Sequence, residues 1–272
     1  MYRALENSLY KKDVKRFRKL QQQVIGFNAV NNGKNIIQDD IFLVMENYVK
    51  KQEIPLELLR FPIKDEEFCA CTFIREARLF VLLNSGLPLS KQLFAAAHEL
   101  YHIWCYFEDD EQSLLKNGSI LKSATIDEEA TGQEDREANA FAGLFLVSEE
   151  CLSEQLRIYG IMGREIEISD VLLLMDIFAV PFKAMILRLY EEGYIKEDQA
   201  RQFFHISQEE IHRQCLFTGK GKRWQRTTTD IVHFGSLEEM LEFNESMGAL
   251  TDSRTASDKR RISELKSRYT QN

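Results

Sequence analysis

The stretch Leu93–Cys105, Leu-Phe-Ala-Ala-Ala-His-Glu-Leu-Tyr-His-Ile-Trp-Cys, constrains this chain more than any other. It reads as one apolar helix, and an apolar helix does not carry two histidines and a glutamate without partners. Helix positions four apart share a face, so His98 and His102 aim two imidazoles at one point. Glu99 sits one residue on, rotated by about 100°. From there its carboxylate reaches a water held at that point rather than the point itself. This HExxH spacing suits a zinc ion held by the two histidines, with the glutamate as general base. Ala95, Ala96 and Ala97 let the helix pack closely, and Leu100 and Ile103 face the core.

A catalytic zinc takes three protein ligands and keeps a fourth position open. The remaining histidines, His205, His212 and His233, lie far along the chain. The acidic, small-residue helix from Glu134 to Ala142 is the better source of the third ligand. It offers Glu134, Asp135 and Glu137.

Length and charge narrow the class further. With 272 residues the chain can bury a substantial core without staples, so a metal site here reads as functional. The net charge of −8 does not advertise nucleic-acid binding. Five cysteines, only Cys69 and Cys71 close together, read as reduced and mostly buried thiols of a reducing compartment. No apolar run approaches the ~18 residues needed to span a bilayer. Met1 to Lys19 is charged throughout and has no apolar signal core. The expected location is the cytoplasm, with no membrane partner.

Along the chain, residues 2–25 read as one amphipathic helix with a solvated basic face and an apolar stripe of Leu5, Leu9, Val14, Phe17, Leu20 and Val24. Asn31-Asn32-Gly33 signals a turn, and a helix is expected over 39–51. Pro55 and Pro62 punctuate the next stretch. Phe68–Ile74 and Ala77–Leu83 read as strands of a hairpin joined at Arg75-Glu76. Ser90 is expected to cap the helix that runs to Phe107, which the acidic cluster Glu108–Glu111 ends. Asn117-Gly118 reads as a loop tip. Thr125 with Glu128, or Thr131 with Glu134, is expected to box the start of the next helix, which contains Glu134–Val147. Further helices are expected over 149–158, 169–178, 181–192 and 196–213, with Gly193 ending the third. Lys220–Arg223 reads as a basic turn and Leu237–Phe243 as a short helix. From Thr251 onward the tail reads as disordered or as a partner-binding helix.

Together, His98-Glu-Leu-Tyr-His102 and, about thirty residues on, Asp135-Arg-Glu-Ala138-Asn139-Ala-Phe141-Ala142-Gly-Leu144 resemble the ImmA/IrrE family of zinc metallopeptidases. The run Leu79–Ser90 and the later Phe178-Ala-Val-Pro-Phe with Arg188-Leu189 are similar too, so the likeness covers roughly residues 40–195. The family usually has Glu where this chain has Asp135. Asp135 shares a face with Ala138 and Ala142, and the reading favours it as third ligand, with Glu134 and Glu137 as alternatives. Leu144-Phe-Leu-Val-Ser148 also departs from the family's usual ending, as packing variation.

The resemblance implies an α+β fold, mostly helical and zincin-like, with a small antiparallel or mixed sheet beside the HExxH helix. The chain is expected to divide into a basic helical segment at 1–38, a zinc metallopeptidase domain at 39–195 and a helical and polar, partly flexible C-terminal extension at 196–272. The strand near Leu79–Leu83 is read as a sheet edge open to an extended substrate. The implied activity is endopeptidase, with Glu99 moving the proton. The implied partner is a protein substrate, a helix-turn-helix transcriptional repressor of a mobile element or stress response. Tyr101 reads as packing rather than as an oxyanion stabiliser. The rival reading is a metal-binding protein that regulates a repressor or antitoxin-like partner without hydrolysis. Direct DNA binding by the N-terminal basic helix is a weaker third idea.

Overall fold

The computed structural model describes residues 3–31, 36–65, 67–108, 121–122, 132–221 and 231–270. The turn residues Asn32 and Gly33, the cluster residues 109–111, the loop tip Asn117-Gly118, the capping candidates Thr125, Glu128 and Thr131, and Lys222 and Arg223 lie outside these residues.

The fold is α+β and mostly helical, as expected. The N-terminal segment is three helices rather than one: α1 (Arg3–Glu6), α2 (Leu9–Lys12) and α3 (Val14–Asn31). Short polar side chains break it. Ser8 caps α2 by accepting the Lys11 N–H, and Asp13 accepts the Arg16 N–H at the start of α3. Leu5, Leu9, Phe17, Leu20 and Val24 are buried as the stripe requires, but Val14 is exposed. The basic face is not simply solvated: Lys11 pairs with Glu197, and Arg16 with buried Glu137.

A short 3₁₀ turn, Gln38–Asp40, leads into α4 (Ile41–Lys51). Then comes β1 (Leu56–Phe61), a strand the sequence pattern did not announce. The hairpin follows as β2 (Ala70–Arg75) and β3 (Arg78–Asn84). Its turn is Glu76-Ala77, one residue later than expected, with both residues at positive φ (51° and 57°). That geometry matches the twist of a two-residue hairpin.

The sheet has five strands in the order β4-β2-β3-β1-β5, where β4 is Leu121–Lys122 and β5 is His233–Phe234. β3 is therefore central. It pairs antiparallel with β2 on one side and parallel with β1 on the other. The expectation that Leu79–Leu83 forms an open edge is corrected: both of its hydrogen-bonding sides are already occupied, which leaves no backbone groups for strand addition.

One face of the sheet packs on α5 (Leu89–Phe107), through β2 and β3. Pro88, not Ser90, holds the cap position of α5, and Ser90 lies inside its first turn. α6 (Gln133–Leu146) packs along α5 and touches α3. Phe27 of α3 contacts Trp104, Phe141 and Phe145 with ring centroids 5.5–5.8 Å apart, tying the three helices together. Next come α7 (Glu149–Ile158), α8 (Ile168–Phe178) and α9 (Phe182–Glu191), with Gly193 at φ +76° just beyond α9.

The expected 196–213 helix is two, α10 (Glu197–Phe204) and α11 (Gln208–Thr218). Ser207 caps the second by accepting the Glu210 N–H. The C-terminal part forms α12 (Leu237–Ser246) and α13 (Asp252–Thr270). The tail is thus helical, and the ring of Tyr269 lies 4.7 Å from that of Phe61 on β1. All five cysteines are free thiols, four of them buried. Among the described residues, no helix is long and apolar enough to cross a membrane.

Candidate metal centre

α5 presents His98 and His102 one turn apart, and both are buried. Their Nε2 atoms face each other at 3.1 Å. α6 brings in Asp135: one donor atom each from His98, His102 and Asp135 lies within 4.8 Å of the others. His205, His212 and His233 have no part in this cluster; His233 sits on β5 against the carbonyl of Leu58.

The far side of each imidazole is also held. His98 Nδ1 is 2.9 Å from Asn139 Oδ1, and His102 Nδ1 is 2.8 Å from Glu134 Oε1. Both partners are acceptors, so each Nδ1 carries the proton and each Nε2 turns a lone pair to the shared point. Burial, with the neighbouring His102 adding to it, pushes the His98 pKa down to about 3 against the hydrogen bond that His98 donates to Asn139. The ring is neutral near pH 7, as a metal ligand must be. Two imidazoles and a carboxylate converging on one point form a donor set that fits a metal ion.

The three acidic candidates on α6 separate by direction. Asp135 points into the cluster. Glu134 holds His102 from behind, where sequence had suggested a capping role with Thr131. Glu137 is turned away. Its Oε2 accepts from the Tyr101 hydroxyl at 2.6 Å and from Arg16 at 2.5 Å, and its Oε1 accepts from Gln133 at 3.0 Å. Burial would raise the Glu137 pKa, but these three donors outweigh it and hold the carboxylate below its ordinary value. The Tyr101 hydroxyl is engaged by Glu137, in keeping with packing, and burial raises its pKa.

Glu99 is fully buried on the face of α5 that meets the sheet, and its Oε2 accepts a hydrogen bond from Thr72 Oγ1 on β2 at 2.5 Å. Sequence reading did not single out Thr72, because the contact spans twenty-seven residues and depends on strand register. It also missed the orienting roles of Asn139 and Glu134. Asn139 carried a usable signal: it lies four residues after Asp135, on the same helix face.

A small mixed sheet backing a helix with HExxH, and a second helix bringing a carboxylate to the same point, define a metallopeptidase-type site. The chain belongs to the Peptidase_M78 family, whose profile, described as the IrrE N-terminal-like domain, matches residues 52–190. That span runs from β1 to all but the last residue of α9 and contains every residue of the cluster. A search of curated proteins found no match to the chain.

Proposed function

We propose that this chain is a zinc-dependent endopeptidase in which His98, His102 and Asp135 hold the metal and Glu99 is the general base. The observation that carries the reading is the convergence of the two Nε2 atoms, 3.1 Å apart, beside the Asp135 carboxylate. Two nitrogens and one carboxylate oxygen form a donor set that zinc accepts while keeping a position open. When bound, such an ion supplies Lewis-acid polarisation of a peptide carbonyl and of a water.

The chain's own residues do the rest. Asn139 and Glu134 fix the tautomers of His98 and His102. Glu99 takes a proton from the attacking water and returns it to the leaving amine nitrogen. With Oε2 engaged by Thr72, the proposal assigns that proton transfer to Oε1 of Glu99.

The substrate class we assign is a regulatory protein, specifically a helix-turn-helix transcriptional repressor of mobile-element or stress genes. This assignment is drawn from the resemblance to ImmA/IrrE peptidases. The free state of all five thiols suits a cytoplasmic protein.

The test has two stages. Elemental analysis of the wild type should give about one zinc per chain, lost in His102→Ala. Zinc-loaded protein is then incubated with helix-turn-helix repressors and with an unstructured protein, and the fragments are identified by mass spectrometry. Glu99→Gln should keep the metal and lose hydrolysis by about 10²-fold or more. A wild type that binds no zinc sinks the reading. A Glu99→Gln chain with full cellular function would instead support the non-hydrolytic, partner-binding protein.

A further inference from the structure

Thr72 occupies the centre of β2, opposite Val81 of β3 and Leu121 of β4. Its side chain is fully buried, and it shares its sheet face with Ala70 and Val81, which are apolar and fully buried. A hydroxyl placed in such surroundings costs stability unless it is hydrogen-bonded, and a valine would fill the same volume without that cost. The bond it makes is to Glu99 Oε2, at 2.5 Å, across the interface between sheet and helix.

Two further features make this a precise contact. A β-branched side chain has few χ1 states, and β2 is held by ladders on both sides. Glu99 hangs on α5 by a longer side chain with three torsions, so its carboxylate can rotate unless something stops it. The rigid partner is Thr72 and the adjustable one is Glu99.

We infer that Thr72 is a positioning residue for Glu99, fixing the carboxylate plane through Oε2 and so assigning proton transfer to Oε1. The inference rests on the reading of Glu99 as general base. Thr72 is not among the candidate metal ligands, and it acts through Glu99.

The experiment uses the full-length, zinc-loaded chain and the peptide found to be cleaved. Thr72→Val should retain zinc at wild-type stoichiometry and keep KM within about 2-fold. Its kcat should fall about 10- to 100-fold, the scale expected when a reacting group is misplaced. Thr72→Ser should recover most of the loss, and Thr72→Ala serves if the valine variant does not fold.

A readout independent of turnover comes from urea unfolding of the metal-free chain. Thr72→Val should lower the midpoint in the wild-type background. In a Glu99→Ala background it should leave the midpoint unchanged or raise it, because the buried hydroxyl has then lost this acceptor. Wild-type kcat in Thr72→Val, beside an inactive Glu99→Gln, overturns the role of Thr72 alone. Hydrolysis surviving in Glu99→Gln overturns the reading on which it stands.

Discussion

Asn139 Oδ1 lies 2.9 Å from His98 Nδ1 and determines which nitrogen of that ring faces His102. Without it, the proton of a neutral His98 could move to Nε2 and remove the lone pair from the shared point. Partners of this kind typically contribute 10- to 100-fold in metal affinity. Asn139→Ala is therefore expected to weaken zinc binding by about that factor, and Asn139→Asp to retain it. Competition against a chelator of known affinity measures both.

The three acidic residues of α6 should give three different phenotypes. Asp135→Ala removes a donor from the cluster and should abolish zinc retention through gel filtration. Glu134→Gln leaves the donors in place and loosens His102, so affinity should fall by about 10- to 100-fold. Glu137→Gln should leave metal content intact and lower stability, because it removes the buried charge that pairs with half-buried Arg16 and accepts from Tyr101. If Glu137→Gln lost the metal and Asp135→Ala kept it, the ligand set would be wrong.

The helices that carry the site were readable because their signals are local. Residues 98, 99 and 102 are fixed by one helix period, and α6 announces itself by small residues in an acidic context. The sheet was less legible. β1 contains Glu57 and Arg60, which argue against a strand until their partners are known. Glu57 is held by Arg78 and by the backbone and hydroxyl of Ser236, and Arg60 lies over Phe42 and bonds Gln92. All of these are long-range contacts that no window of sequence displays. The central place of β3 has the same origin, since it depends on a parallel crossover from β1. The third ligand stayed open because Glu134, Asp135 and Glu137 span barely one helical turn, and only the docking angle of α6 on α5 decides which points inward.

Arg188 is the largest fully buried side chain among the described residues, and its removal should be costly. Its guanidinium donates to Glu191 at 2.7 Å, to Glu192 at 2.5 Å and to the carbonyl of Val147 at 3.1 Å. Burial raises the pKa of Glu191 even beside this cation. Arg188→Ala would strand a buried carboxylate, with an expected loss of about 3–5 kcal/mol. Arg188→Lys should not restore it, because a point charge cannot serve three acceptors in a fork. Urea denaturation of both variants checks this.

Ala77 sits at φ 57° in the exposed β2–β3 turn. A left-handed conformation costs a non-glycine residue about 1–2 kcal/mol, while glycine adds about 0.5–1 kcal/mol of backbone entropy. Relief of strain should win narrowly. Ala77→Gly is expected to stabilise the chain by about 0.5–1 kcal/mol, seen as a higher midpoint in thermal unfolding. A lower midpoint would mean that the turn holds Ala77 through contacts other than its backbone angle.

Asp170, in the first turn of α8, is a source of acid sensitivity away from the candidate metal centre. Its oxygens accept a bidentate pair from Arg164 at 2.7 and 2.8 Å and the Glu167 N–H at 2.9 Å. Burial pushes its pKa up, but these donors outweigh it and hold the carboxyl below its ordinary value of 3.8. A pKa depressed by folding means that the unfolded chain binds the proton more readily. The stabilisation is therefore complete above about pH 4 and is lost as pH falls through the folded value. Asp170→Asn should lower stability near pH 7 by about 1 kcal/mol, the usual worth of a helix-start acceptor. The gap between variant and wild type should narrow as pH drops below the ordinary value and close as it falls through the depressed folded value, where the wild-type carboxyl is protonated as well. Urea midpoints taken at pH 7, 5, 4 and 3 test the sign: a gap that widens on acidification would show that Asp170 is not the residue through which α8 responds to acid.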